Sequence, residues 1–339
     1  MKMLKRIFVS KQAGIGDVIL LTPILAEMKR QMNCWITLMV FKNAVDAVQG
    51  LPFIDEVFVY DKKKDSSWSV IKKMRGHDAA IFFDLQYRPT LLAFLARVPL
   101  RVGIAHKRKL WLTHATTWEK HLDHIYEPYA SAELLKKTLG IDMKTTALEQ
   151  LYFAEATEME KIAVEKMLEE GGIKQGVAYV ACSPLTALFL KDWPREKWRE
   201  LFVRLYEEQG ILTVVFGSFG EQNITWNMPG VVNLSGRTNL RQAAYIVKKA
   251  KLLVNSCSLP IHMAAAYDTP CVALYGHTDP KRWAPRRNCS VIMAGVSCSP
   301  CDGYAGSNCK EPRCMAEISV DEVYQACCEC LQKRRQELL

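Results

Sequence analysis

Short apolar runs alternate with stretches of helical periodicity along almost the whole chain. Arg6–Ser10 reads as a strand, followed by a helix from about Asp17 to Met32. Further strands are expected at Trp35–Phe41, Val57–Tyr60, Ala79–Leu85 and Arg101–Ala105, with helical segments between them. Near-continuous apolar strands separated by helices predict a parallel sheet covered on both faces. The pattern then restarts. Val177–Ala181, Leu212–Phe216, Leu252–Asn255 and Cys271–Tyr275 read as strands. Arg195–Gln209, Leu240–Lys249 and a short segment from about Leu259 to Tyr267 read as the helices between them. A charged helix near Ala156–Glu170 separates the two series. The expectation is an α/β protein of two doubly wound parallel-sheet domains facing each other, spanning 1–155 and 156–318. A last helix, 319–339, is expected to pack back across the domains.

Length agrees with this division, since 339 residues exceed one ordinary core and suit about two domains. With 49% hydrophobic and 24% charged residues, the chain is neither a disordered tail nor a coiled coil. No apolar run reaches the ~18 residues of a spanning helix. The basic start has only Ile7-Phe8-Val9 as an apolar core and no small-residue cleavage site. A cytoplasmic protein is therefore expected. The net charge of +9 suits anionic partners, whether phosphorylated ligands or an anionic membrane face. The cations are not banked on one helix, which argues against nucleic acid.

The twelve cysteines divide by position. Cys34, Cys182, Cys257 and Cys271 lie in or beside apolar segments, as buried small hydrophobes do. The other eight crowd between Cys289 and Cys330, and without an export signal they read as metal ligands or free thiols before disulfides. Cys298, Cys301, Cys309 and Cys314 have the spacing C-x2-C-x7-C-x4-C, which reads first as a glycine-bearing loop of free or fortuitously paired thiols and, as the alternative, as a closed, structural tetrathiolate zinc or iron site. Cys327, Cys328 and Cys330 read as packing residues of the last helix.

Ligands of doubly wound domains bind beyond the carboxyl ends of the strands, so the turns there carry the chemistry. The first is Gly14-Ile15-Gly16-Asp17. Its glycines let the backbone turn tightly at a helix start, where Asp17 is either a cap or a base. A third glycine of the dinucleotide fingerprint is missing, because Ile19 stands there, and strand two ends in Lys42 with no acidic residue. Both departures argue against a nicotinamide or flavin oxidoreductase. In the second half, Ser183, Thr186 and Lys191 offer donors to a phosphate, and Glu221 follows a strand where a ribose-binding carboxylate would stand. The polar turn Asn255–Ser258 precedes a helix beginning Leu259-Pro260-Ile261-His262, whose N-terminus is expected to help Lys191 hold a departing diphosphate.

The segments GIGDVILLTPIL, KDWPREKW, VVFGSFGEQN and NLSGRTNL through LPIHMAAAYDTPCVALYGHTDPKRWAP, in this order, resemble the family 9 glycosyltransferases. These are the ADP-heptose:lipopolysaccharide heptosyltransferases and their relatives. The resemblance runs from about Arg6 to the final helix. It implies a GT-B fold of two Rossmann-like domains, acceptor on the first and nucleotide sugar on the second, and an inverting transfer that requires no cofactor. It implies Asp17 as catalytic base, Lys191 at the donor phosphate and Glu221 near the nucleoside. Ser258 and His262 then stand over the diphosphate and sugar. A lipopolysaccharide inner-core acceptor is implied, with peripheral contact to the inner membrane, and Arg88 and Arg101 are candidate acceptor contacts.

One departure from the family pattern matters. Where the family's last motif has Asp and Gly, this chain has Cys257 and Leu259. A cysteine binds sugar hydroxyls poorly and a leucine obstructs close approach of a diphosphate. Two alternatives stay open: the same scaffold with another nucleotide sugar, or a non-catalytic carbohydrate- or nucleotide-binding relative.

Overall fold

The computed structural model describes residues 4–61, 63–218, 226–301 and 309–336. The chain forms two compact units that divide between Ala154 and Glu155. Each holds one six-stranded sheet, parallel in every pairing.

In the first unit the strands are β1 (Arg6–Ser10), β2 (Trp35–Val40), β3 (Glu56–Val59), β4 (Ala79–Phe82), β5 (Leu100–Ile104) and β6 (His114–Thr116). Their order across the sheet is β3-β2-β1-β4-β5-β6. The chain thus winds outward one way from β1, then returns to start again at β4. Ser10 is level with Met39 on one side and Phe82 on the other, so the reversal falls beside the ends of β1 and β4. In the second unit, β7 (Tyr179–Cys182), β8 (Leu212–Val215), β9 (Val231–Asn233), β10 (Leu252–Ser256), β11 (Cys271–Tyr275) and β12 (Cys289–Met293) repeat the plan as β12-β11-β10-β7-β8-β9. Here the reversal lies between β7 and β10. Both sheets therefore have the doubly wound order that leaves a crevice at the carboxyl ends of the reversing strands.

Burial explains why these segments are strands. Every residue of β4, β7, β10 and β11 is buried, as required of strands covered on both faces. Helix Ile15–Met32 follows β1 and buries Val18 to Leu25 without interruption. The sequence places most elements within one or two residues, and Arg195–Gln209 and Leu240–Lys249 without any displacement. It misses the edge strands β6 and β9, of three residues each, and the edge strand β12, whose residues are all half-exposed or exposed.

The second unit's core is built on rings. Trp193 meets Trp198 edge-on at 4.8 Å, Trp198 lies 5.8 Å from Phe202, and Phe202 lies 5.7 Å from Trp226. Trp193 Nε1 donates to the Ile318 carbonyl at 3.1 Å, and Lys197 Nζ donates to the same carbonyl at 2.7 Å. The terminal helix, Val320–Gln336, lies against helix Arg195–Gln209 and the strands β10 to β12 of its own unit. Cys327 and Cys328 are buried there, and Cys34, Cys182, Cys257 and Cys271 are buried as their neighbours in sequence predict.

Trp198 is fully buried at the centre of the ring cluster. Trp198→Ala is expected to cost ~3–5 kcal/mol through lost burial and the cavity left behind. Thermal unfolding would record this as a marked fall in midpoint, and an unchanged midpoint would contradict the packing described.

Candidate active site

At the reversal point of the first sheet, one buried carboxylate ties the strand ends together. Asp84, just beyond β4, accepts from Ser10 Oγ at 2.6 Å, from the Gln12 N–H at 3.1 Å and from the Gln86 N–H at 2.9 Å. Arg108 Nη1 stands 3.8 Å from it, also buried. Beside them Lys11 Nζ reaches Glu127 at 3.4 Å and the Phe83 carbonyl at 3.3 Å. Burial pushes the Asp84 carboxyl up, against the opposing pull of those hydrogen bonds and Arg108. The segment leading to the first glycine turn is thus held rigidly from below.

Gly14 caps helix Ile15–Met32 with an ordinary extended conformation, while Gly16 is already helical. The need for glycine at position 14 is therefore spatial. A Cβ there would stand 3.0 Å from Asp17 Oδ2, so the carboxylate folds back over the turn. Asp17 is half-buried in the helix's first turn and is not its cap.

At the reversal point of the second sheet the bridging side chain is an amide. Asn255, fully buried at the end of β10, accepts from the Ser183 N–H at 2.7 Å, joining β10 to the end of β7. Its Nδ2 donates to Ser258 Oγ at 2.9 Å and to the Ser256 carbonyl at 2.9 Å. Ser258 is the cap residue of helix Leu259–Ala266 but makes no side-chain cap bond. Its hydroxyl proton thus remains to be donated elsewhere.

Lys191 closes a short turn, Phe189–Lys191, held by two anchors. Asp192 Oδ1 accepts from the Thr186 N–H at 2.8 Å, and Trp193 is sunk into the ring cluster. Thr186 Oγ1 donates to the Leu188 carbonyl at 2.7 Å, so this hydroxyl shapes the loop. The Lys191 charge is felt by two imidazoles. His262 is buried with no partner for Nδ1, and burial first, then Lys191, holds its pKa down to about 3. His277, in the turn after β11, is lowered by the same two causes, and its Nδ1 also lacks a partner. Thr278 Oγ1 and Ser256 Oγ are buried without partners as well. Buried polar atoms left unpaired are costly, and a concentration of them around a cation at strand ends marks a place built for a polar ligand.

The structure thus brings together Ser183, Ser258, Lys191 and His262. Sequence reasoning missed Asn255, His277 and Thr278, although the turn signal after strand Cys271–Tyr275 was legible. Glu221 lies outside the described residues. Arg88 donates to Ser67 Oγ at 3.1 Å and lies over the Tyr60 ring. Arg101, half-buried, donates to the carbonyls of Trp111 at 2.7 Å and Pro99 at 3.4 Å, and to that of Val98. Cys257 is buried beside Tyr275, whose hydroxyl is pushed well up by burial and by that thiol. Leu259 is half-buried in the first turn of its helix.

The cysteine loop meets the same turn. The Cys301 N–H donates to the His277 carbonyl at 2.9 Å, and Ser299 Oγ to the Gly276 carbonyl at 2.7 Å. A Cβ on Gly276 would stand 2.9 Å from Cys314 Sγ. Burial and the nearby Cys301, Cys298 and Cys309 thiols push Cys314 up. The four thiols are therefore neighbours, yet among the described residues no three His, Cys, Asp or Glu side chains are disposed to hold a metal ion.

The family model for glycosyltransferase family 9 (heptosyltransferase) matches residues 67–310, beginning beyond the Gly14–Asp17 turn. Lipopolysaccharide heptosyltransferase 3 of Escherichia coli is 21% identical over 295 residues, covering 80% of this chain and 84% of that protein. Among solved structures, a family 9 glycosyl transferase from Veillonella parvula superposes with a TM-score of 0.83 at 21% identity, covering 98% of this chain and 99% of the other. The E. coli ADP-heptose lps heptosyltransferase II gives 0.77 at 20% identity, covering 98% and 100%.

The buried His262 generates a pH dependence. An unfolded imidazole titrates near ~6.5, whereas the native one stays neutral down to about 3. Below ~6.5 the unfolded chain binds a proton that the native chain does not, so stability declines as pH falls through this window. By pH ~5 the loss from this group is about 2 kcal/mol. His262→Gln is expected to flatten that part of the acid decline in denaturation midpoints. A variant as acid-sensitive as the parent would show that the imidazole is not held neutral.

Proposed function

Because this chain belongs to glycosyltransferase family 9, the heptosyltransferase family, we propose that it transfers heptose from ADP-heptose to a lipopolysaccharide inner-core acceptor. The observation that carries this reading is the meeting of Lys191, two buried imidazoles and the Ser183–Asn255–Ser258 bridge at the reversal point of the second sheet. A cation surrounded by neutral donors and unpaired hydroxyls suits a diphosphate that gains charge as it departs.

In the proposed reaction Asp17 takes the proton of an acceptor hydroxyl as the oxygen attacks the anomeric carbon. The bond from that carbon to the diphosphate oxygen breaks on the opposite face, so configuration inverts and ADP leaves with the electron pair. Lys191 balances the charge it carries away, while the Ser258 and Ser183 hydroxyls and His262 donate to its oxygens. Burial holds the pKa of both imidazoles down, so neither adds a competing cation; His262 keeps an N–H to donate, while His277 is hydrogen-bonded to the Leu190 backbone. The base belongs to the first unit and the donor groups to the second. Thr186 acts by shaping the Lys191 loop, Glu221 is assigned to the nucleoside, and Arg88 and Arg101 to the acceptor side. The N-terminus of helix Leu259–Ala266 is assigned to the diphosphate beside Lys191.

Cys257 favours a second donor as the rival reading. Its buried thiol stands where the family has a carboxylate for sugar hydroxyls, so a different nucleotide sugar on the same phosphate site is the alternative. The cysteine loop is a separate matter. A structural tetrathiolate requires about one zinc or iron per chain in the purified protein, and a chain without either metal dismisses it.

Transfer is tested with purified protein, ADP-heptose and a lipopolysaccharide core acceptor, reading the product by mass. Asp17→Asn is expected to lower kcat by ~10²–10⁴-fold with little change in donor KM. Lys191→Ala is expected to reduce kcat/KM for the donor by at least ~10-fold. Full activity of Asp17→Asn would refute the assignment of the base. Turnover with another nucleotide sugar alone would move the donor but keep the site. Saturable nucleotide binding without any turnover would favour the binding-only relative.

A further inference from the structure

Lys191 sits on a loop whose upstream half is poorly held by packing. Leu188 and Phe189 are exposed at 41% and 54%, whereas Leu190 is buried. Downstream the loop is anchored by Asp192 on the Thr186 N–H and by Trp193 in the ring cluster. Upstream it relies on hydrogen bonds. The Lys191 N–H donates to the Leu188 carbonyl at 2.9 Å, and the Asp192 N–H donates to the Phe189 carbonyl at 3.0 Å. The next carbonyl, that of Leu190, accepts from the imidazole of His277. Since Nδ1 has no partner, the donor is Nε2–H.

The Leu190 carbonyl and the Lys191 N–H belong to one peptide unit, whose atoms lie in a plane that ends at the Lys191 Cα. His277 holds that plane at its oxygen and Leu188 holds it at its nitrogen, so the stem of Lys191 leaves from a fixed point in a fixed direction. A lysine depends on this, because its ammonium is a point charge on a flexible aliphatic stem. His277 in turn stands on a rigid platform. It lies just beyond β11, every residue of which is buried. Its carbonyl accepts from the Cys301 N–H at 2.9 Å, and the preceding carbonyl, that of Gly276, accepts from Ser299 Oγ at 2.7 Å. A Cβ on Gly276 would stand 2.7 Å from Met315 Sδ, so the turn lies flush against helix Arg313–Ala316.

From this arrangement we infer that His277 is a positioning residue for Lys191, setting through the Leu190 carbonyl the reach of the ammonium that meets the donor's diphosphate. The inference rests on the proposed role of Lys191 and adds to it a residue that acts without touching the ligand. Direct contact with phosphate fits His277 less well. Its one N–H is engaged by Leu190, and the remaining ring atom, Nδ1, presents a lone pair that a phosphate oxygen would meet unfavourably.

The test is a double-mutant cycle on ADP binding, measured by calorimetry on the full chain, which needs no turnover. His277→Ala is expected to weaken ADP binding about three- to tenfold, the worth of one hydrogen bond. His277→Gln, whose amide keeps an N–H at similar reach, should restore binding close to the parent's. Lys191→Ala should weaken ADP binding by at least ~10-fold. Adding His277→Ala to Lys191→Ala should then change almost nothing, because the ammonium that His277 places is gone. Adenosine, which has no phosphate, should bind the parent and His277→Ala alike, and its binding also reports that the variant is folded. An equal loss from His277→Ala in both backgrounds would show direct contact or general support, and would overturn the inference. So would a His277→Gln as weak as His277→Ala, or a His277→Ala that binds ADP like the parent while Lys191→Ala does not. Parent affinity in Lys191→Ala would instead refute the phosphate role of Lys191 itself, and this inference with it.

Discussion

In each half of the molecule one buried polar side chain spans the place where the order of parallel strands reverses. Asp84 joins the ends of β1 and β4, and Asn255 joins those of β10 and β7. Parallel strands leave N–H and C=O groups unpaired at their ends, and at a reversal the two adjoining chains diverge in opposite directions. A side chain with several acceptor positions satisfies those groups and keeps the crevice from collapsing. The two sheets use different chemistry for this task. Asp84 has Arg108 beside it and sits in a first unit rich in cations, where a carboxylate can be tolerated in burial. Asn255 is neutral and adds no charge beside Lys191 and the two imidazoles.

That choice governs the electrostatics of the second unit. A buried carboxylate in place of Asn255 would repel a diphosphate and draw protons to His262. With an amide instead, burial keeps His262 and His277 neutral, and Lys191 opposes their protonation further. The unpaired Nδ1 atoms and the hydroxyls of Ser256 and Thr278 are a cost of folding that a polar ligand relieves. The same turn is held from outside by the cysteine loop, through Cys301 and Ser299, so His277 owes its place to residues far along the chain.

The substitution at Cys257 fits this picture as packing. Its thiol is buried against Tyr275 and contributes to the core at the end of β10, where a carboxylate would need a ligand or a cation to be stable. Leu259, half-buried in the first helical turn, narrows the approach to the helix end.

The alternation of apolar runs with helical periodicity was enough to indicate two doubly wound sheets, because buried parallel strands have few polar positions to interrupt their apolar runs. The Gly14–Asp17 turn, Lys191 and the Ser258–His262 segment were legible for a similar reason: each is a local departure from that alternation at a strand's end. Of the four edge strands, β6, β9 and β12 were not legible, since they are short or incompletely buried, whereas β3 at the remaining edge carries the apolar run Val57–Val59. Asn255 was visible as a polar residue in a polar turn, but its bridging role depends on β7 lying beside β10, a pairing across more than seventy residues of sequence. His277 belongs to the same class, because only the tertiary fold sets it beside the Lys191 charge.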